Sequence, residues 1–112
     1  DIADQILREL AGLVRKSIRL TDTFGRWGGD EFIIIVPTTN NVQATWLGNK
    51  LRKTIEQYTF MNDLKVTCSF GVADSDASMD ATDWLKIANE ALQYAKDNGK
   101  DQVVDYEDIN SN

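Results

Sequence analysis

The sequence predicts an α+β fold, a mostly antiparallel sheet with helices packed on it. Two observations carry that expectation. Three segments repeat apolar residues at helical spacing, and strand-like runs bounded by turn residues lie between them. A Gly28-Gly29 pair joins two of those runs directly, and glycine reaches positive φ without steric cost, so the pair reads as a hairpin turn.

The elements follow in order. Over residues 4–18, Ile6, Leu7, Leu10, Leu13 and Val14 form one helical stripe. Residues 23–27 and 31–36 are the two arms of the hairpin. Pro37 ends the second arm, and Thr38-Thr39-Asn40 offers capping side chains to a helix over residues 42–58. That helix carries Leu47, Leu51, Ile55 and Tyr58 on one face, while Gly48 costs it ~1 kcal/mol relative to alanine. Residues 65–73 read as a strand, in which Gly71 predicts a bulge or a close backbone approach. A polar loop over residues 74–78 leads to a last helix over residues 82–98. Its inward face is Trp84, Leu85, Ala88, Ala91, Leu92 and Ala95, and Gly99 is placed to end it. Residues 102–106 add a short strand. Residues 1–106 are thus read as one domain and residues 107–112 as a polar tail or linker stub. Trp27, Trp46 and Trp84 are expected to anchor packing, with Trp46 alternatively facing a partner.

Composition narrows the function. The chain has 112 residues, 42% hydrophobic and 27% charged, which is ordinary globular material. Its net charge of −6 argues against holding a nucleic-acid polymer by charge. No apolar run approaches the ~20 residues of a membrane span, so no membrane contact by this domain is expected. A single cysteine, Cys68, excludes an internal disulfide and fits a reducing cytoplasm, and its strand-like setting reads as core. The chain has no histidine, which excludes a Cys-His nucleophile and histidine-ligated zinc.

Three constellations carry possible chemistry. Asp30 and Glu31 follow the hairpin glycines, where backbone can come close to a ligand. Two carboxylates there suit a hard divalent cation and phosphate chemistry, or else form a solvated tip. Lys96 and Lys100, spaced to share a helix face, either bind phosphate or simply favour the helix dipole. Arg19 and Asp22 form a surface ion pair or a guanine-reading pair, since arginine can fork onto guanine O6 and N7.

Taken together, Arg26-Trp27-Gly28-Gly29-Asp30-Glu31-Phe32, Arg19-Leu20-Thr21-Asp22 upstream of it, and two downstream stretches resemble the GGDEF family. Those stretches are Val66-Thr67-Cys68-Ser69-Phe70-Gly71-Val72-Ala73 and Ala91-Leu92-Gln93-Tyr94-Ala95-Lys96 through Gly99-Lys100. The family comprises bacterial diguanylate cyclases, which condense two GTP into cyclic di-GMP and pyrophosphate. The resemblance runs from about Asp4 to Val104 and implies a ferredoxin-like nucleotidyl-cyclase palm. It implies that Asp30 and Glu31 hold Mg2+ (or Mn2+) and activate the 3′-hydroxyl, without dividing those roles between them. Gly28 and Gly29 would make room for the nucleotide, and Lys96 and Lys100 would grip its phosphates. Asp4 would contact the guanine base, or cap the first helix. Arg19, Asp22 and Lys50 would form an inhibitory site for cyclic di-GMP, and catalysis would need a homodimer.

The sequence departs from the family in places. Lysine stands for arginine at Lys100 and Lys50, which removes the bidentate fork and predicts weaker binding at both. The family's first strand, with a further metal-binding aspartate, would precede Asp1. The chain is therefore read as the C-terminal two thirds of the domain, N-terminally truncated, with little activity alone. The alternative reading is a catalytically idle domain that binds cyclic di-GMP or GTP.

Overall fold

The Asp1 carboxylate accepts a hydrogen bond from the Asp4 amide at 2.9 Å and caps the first helix, α1, over Ile2–Ser17. Asp4 is therefore inside the first turn rather than the cap. The computed structural model that places these residues describes 1–29 and 31–109 of the chain. Leu10 and Val14 turn the buried face of α1 inward.

Next comes the hairpin, β1 over Thr23–Gly28 paired antiparallel with β2 over Glu31–Ile35. Its register shifts between Arg26 and Gly28, and Gly29 at φ +51° closes the turn as the glycine pair predicts. Phe24 and Phe32 stack across the two strands with centroids 5.3 Å apart. Helix α2 spans Asn41–Gln57. Asn40 caps it through a capping box, its side chain accepting from the Gln43 amide at 2.8 Å while Gln43 reaches back. Replacing Asn40 with alanine is expected to cost ~1 kcal/mol. A chemical denaturation curve would show it as a lower midpoint with an unchanged slope.

A 3₁₀ turn over Met61–Asp63, with Asn62 and Asp63 at positive φ, leads to β3 over Phe70–Val72. The expected strand over residues 65–73 is thus reduced to three residues, because β4, its partner over Val103–Asp105, is equally short. Cys68 lies before the strand, half-buried against the core. Helix α3, over Ala81–Asp97, connects β3 to β4, and the two strands run parallel. A strand, a crossover helix and a strand favour that parallel pairing. Among the described residues the strands form two separate two-stranded sheets, β1–β2 and β3–β4. A short helix, α4, over Tyr106–Ile109 follows, so Tyr106 belongs to it rather than to the last strand.

Gly71 is the close approach that its sequence position predicts. A Cβ built there would lie 2.3 Å from the Leu92 amide nitrogen and 2.4 Å from the Ala88 carbonyl oxygen, both backbone atoms of α3. Gly48 similarly admits Val103 of β4, whose Cγ1 would stand 3.1 Å from an added Cβ. The main core gathers Leu10, Val14, Leu51, Ile55 and Phe60, and a second one forms from Ala91, Ala95 and Val104. Trp84 ties α3 to the chain after β3 by donating Nε1–H to the Ala73 carbonyl at 2.8 Å. Trp27 and Trp46 do not anchor packing: they are 63% and 67% exposed.

Candidate functional site

The hairpin tip is built by its own strands and by α3. Arg26 donates Nε–H to the Gly29 carbonyl at 2.8 Å, and its Nη2 bonds the same oxygen, so β1 fixes the turn from one side. Among the described residues, and apart from the immediate chain neighbours, no heavy atom lies within 4 Å of a Cβ placed on Gly28 or Gly29, which leaves the tip open. Asp30 lies outside the described residues. Glu31, the first residue of β2, accepts a hydrogen bond on Oε2 from Lys96 Nζ of α3 at 3.2 Å, across 65 positions of sequence. Both side chains are more than a third exposed, 35% and 37%, so the pair adds little to stability. What it does is hold a carboxylate and an ammonium together beside an open glycine turn.

Lys100 is not on that helix face. Helix α3 ends at Asp97, Gly99 turns at φ +113°, and the Lys100 amide reaches back to the Ala95 carbonyl at 2.9 Å, a helix-ending bond. Lys100 thus leaves the helix direction at Gly99, with its own φ at +59°.

Asp4 lines an open cleft of about 370 Å³ between α1 and the hairpin, together with Arg8, Arg15, Arg26 and Phe32. The guanidinium of Arg15 sits over the Phe24 ring, 5.2 Å from its centroid. These arginines escape a motif search. The signal available was spacing alone, since Asp4, Arg8 and Arg15 recur at helical intervals on one face of α1.

A second open cleft, of about 360 Å³, brings Arg19, Asp22 and Lys50 together with Thr39 and Trp46. Arg19 Nη2 donates to Thr39 Oγ1 at 2.9 Å, to the Pro37 carbonyl at 3.2 Å and to Asp22 Oδ1 at 3.4 Å. Asp22 also accepts from the Arg19 amide at 2.8 Å, and its side chain is only 2% exposed against 58% for Arg19. Asp22 therefore holds Arg19 in place and Arg19 presents itself to solvent. Lys50 Nζ lies 5.7 Å from the centroid of the Trp46 ring. Arg52 points elsewhere, pairing with Glu56 at 3.1 Å and Asp101 at 3.2 Å.

No group of three or more His, Cys, Asp or Glu able to hold a metal occurs among the described residues. The tip nevertheless suits a hard cation bound together with phosphate. Such a cation takes one or two protein carboxylates and completes its shell with phosphate oxygens and water. Glu31 supplies a hard oxygen, and Lys96 beside it would face the same phosphates. No helix among the described residues is long and apolar enough to cross a membrane.

Comparison with known proteins agrees with this architecture. The family model described as diguanylate cyclase, GGDEF domain, matches residues 1–102. Diguanylate cyclase A of Treponema denticola is 32% identical over 105 residues, covering 90% of this chain and 28% of that protein. The response regulator PleD of Caulobacter vibrioides is 33% identical over 110 residues, covering 93% of this chain and 24% of its own length. The chain spans about a quarter of the length of these curated relatives. Among solved structures, the active GGEEF domain of a diguanylate cyclase from Vibrio cholerae superposes with a TM-score of 0.88 at 29% identity. That match covers 95% of this chain and 69% of the other. With a family model spanning residues 1–102 and this fold in common, the chain belongs to the GGDEF domain family.

Proposed function

We propose that this domain is a diguanylate cyclase that condenses two GTP into cyclic di-GMP and two pyrophosphates, and that the product binds back at a second site. One observation carries the first part: Glu31 and Lys96 meet at 3.2 Å beside an open Gly28-Gly29 turn. A carboxylate and a lysine so placed match the two needs of a metal-bound triphosphate, a hard anionic ligand and a counter-charge.

In each half-reaction the 3′-hydroxyl oxygen of one GTP bonds to the α-phosphorus of the other, and the bond from that phosphorus to pyrophosphate breaks. A divalent cation, magnesium or manganese, held by Asp30 and Glu31, would neutralise phosphate charge and lower the hydroxyl pKa when bound. Lys96 draws the phosphates to the tip, and Gly28 and Gly29 leave them room. Asp30 and Glu31 together would hold the cation and accept the hydroxyl proton. Lys100, beyond the helix end, adds positive charge at longer range. Asp4, on the wall of the cleft between α1 and the hairpin, is assigned to the guanine base. Each domain holds one GTP, so two domains must face each other. Turnover is therefore expected to rise more steeply than linearly with protein concentration. A GTP-consuming domain of this kind works in the cytoplasm.

The cleft of Arg19, Asp22 and Lys50 is the proposed product site. Asp22 positions Arg19, whose Nη2 is held by Thr39, the Pro37 carbonyl and Asp22. The Arg19 Nε–H and Nη1–H donors can address guanine O6 or N7, and Lys50 supplies charge for a phosphate. Arg19→Ala is expected to weaken cyclic di-GMP binding by about tenfold or more, the size of a lost charge-assisted hydrogen bond, while leaving turnover in place. Calorimetric titration of the dinucleotide, alongside chromatographic detection of product from GTP and magnesium, checks both halves. Loss of both functions, or of neither, would contradict the assignment. GTP binding needs only one domain and is the cleaner readout.

A further inference from the structure

The indole of Trp46 is largely exposed. It sits in mid-helix α2 at 67% exposure, whereas Leu51 and Ile55 of the same helix are 1% exposed and carry its attachment to the core. One exposed aromatic ring is ordinary on a protein surface, and what marks this one is its location. Trp46 lines the cleft of Arg19, Asp22 and Lys50 and is the sole aromatic among the residues that do so.

We propose that Trp46 is the stacking platform for a guanine of cyclic di-GMP in this cleft. The inference rests on the product-site reading above and adds to it how the face of the base is held. A purine offers an edge of hydrogen-bonding atoms and two π faces. Arg19, held by Thr39, the Pro37 carbonyl and Asp22, addresses the edge. Nothing among the polar groups of the cleft addresses the face; Trp46 does. The Lys50 ammonium stands over the indole, 5.7 Å from the ring centroid, in the ligand-free cleft. An arriving phosphate offers the Lys50 ammonium a stronger partner, which frees the indole for the base. The opposite charges of the phosphodiesters and of Arg19 and Lys50 favour a nucleotide over a neutral ring. Stacking also compensates in part for lysine at position 50, whose ammonium lacks the planar fork of arginine.

The test is calorimetric titration of cyclic di-GMP into the native chain and into Trp46→Ala, Trp46→Phe and Arg19→Ala. The side chain is two-thirds exposed, so all Trp46 variants are expected to melt with the native chain by circular dichroism. Trp46→Ala is expected to bind about tenfold or more weakly, the range of a lost base–aromatic stack, and Trp46→Phe to recover part of that loss. The dinucleotide is expected to quench tryptophan emission of the native chain and not that of Trp46→Phe. Native affinity in Trp46→Ala together with lost binding in Arg19→Ala would overturn the stacking role and leave the product site standing. Native affinity in both variants would overturn the product site itself and the stacking role with it. A change in the sedimentation of ligand-free protein on Trp46→Ala, with binding unchanged, would reassign the indole to a protein contact.

Discussion

Replacing Gly71 with alanine is expected to lower the melting temperature by roughly 10–20 °C, as a loss of ~3 kcal/mol would in a domain of this size. The reason is contact, since Gly71 is not among the residues at positive φ. An added Cβ would stand 2.3 Å from the Leu92 nitrogen, 2.4 Å from the Ala88 oxygen and 2.8 Å from the Leu92 Cα. All three are main-chain atoms of α3, so no side chain can swing aside. Either β3 moves off the helix or α3 moves off the sheet. Both movements open the second core, where Ala91 and Ala95 are fully buried against Val104. Small residues on α3 and a glycine on β3 are two halves of one close packing. Thermal melting by circular dichroism measures the effect. A variant that melts within about two degrees of the native chain would show that the approach is looser than this geometry.

Replacing Glu31 with alanine is expected to reduce GTP turnover by about 100-fold or more while leaving the fold intact. A carboxylate that binds a catalytic cation contributes several kcal/mol to stabilising developing charge, and each 1.36 kcal/mol is about tenfold in rate. Its structural contribution is small, because the Glu31–Lys96 pair is more than a third exposed on both sides. The same substitution in Asp30 is expected to act in the same direction on turnover. Cyclic di-GMP binding is expected to survive both, since among the described residues the Arg19 cleft draws no lining residue from the hairpin tip. Product formation measured beside a melting curve separates the two contributions. A Glu31→Ala protein that melts normally and still turns over GTP at the native rate would remove the residue from the site.

Local signals made the main elements legible in sequence. The three long helices emerge within two residues of their expected limits, because each pairs an apolar stripe with a side-chain cap, Asp1, Asn40 or Asp80. The Gly28-Gly29 hairpin emerges because only a narrow set of residues makes that turn. Long-range pairing is what the sequence hides. The run before Phe70 alternates like a strand, yet strand length is fixed by its partner, and β4 offers three residues. The antiparallel expectation came from the hairpin-linked strands and holds for β1–β2, whereas the strand–helix–strand order of the second pair makes it parallel.

The sites divide in the same way. Arg19 and Asp22 are close in sequence, and their spacing announces the pair; that Thr39, Trp46 and Lys50 join them depends on how α2 lies against the end of α1. The Glu31–Lys96 contact is invisible without the fold because 65 positions separate the partners. Lys100 shows the limit of counting residues. A spacing of one helical turn from Lys96 means a shared face only while the helix lasts, and Gly99 ends it.

The most direct test of the central claim, that the hairpin tip with Lys96 is a metal-dependent triphosphate site, is calorimetric titration of GTP into the chain with and without magnesium chloride. Binding is expected to require magnesium, to vanish in Glu31→Ala, and to weaken by about tenfold in Lys96→Ala, where one phosphate counter-charge is lost. GTP binding that is indifferent to magnesium and equal in all three proteins would place the nucleotide elsewhere and contradict the claim.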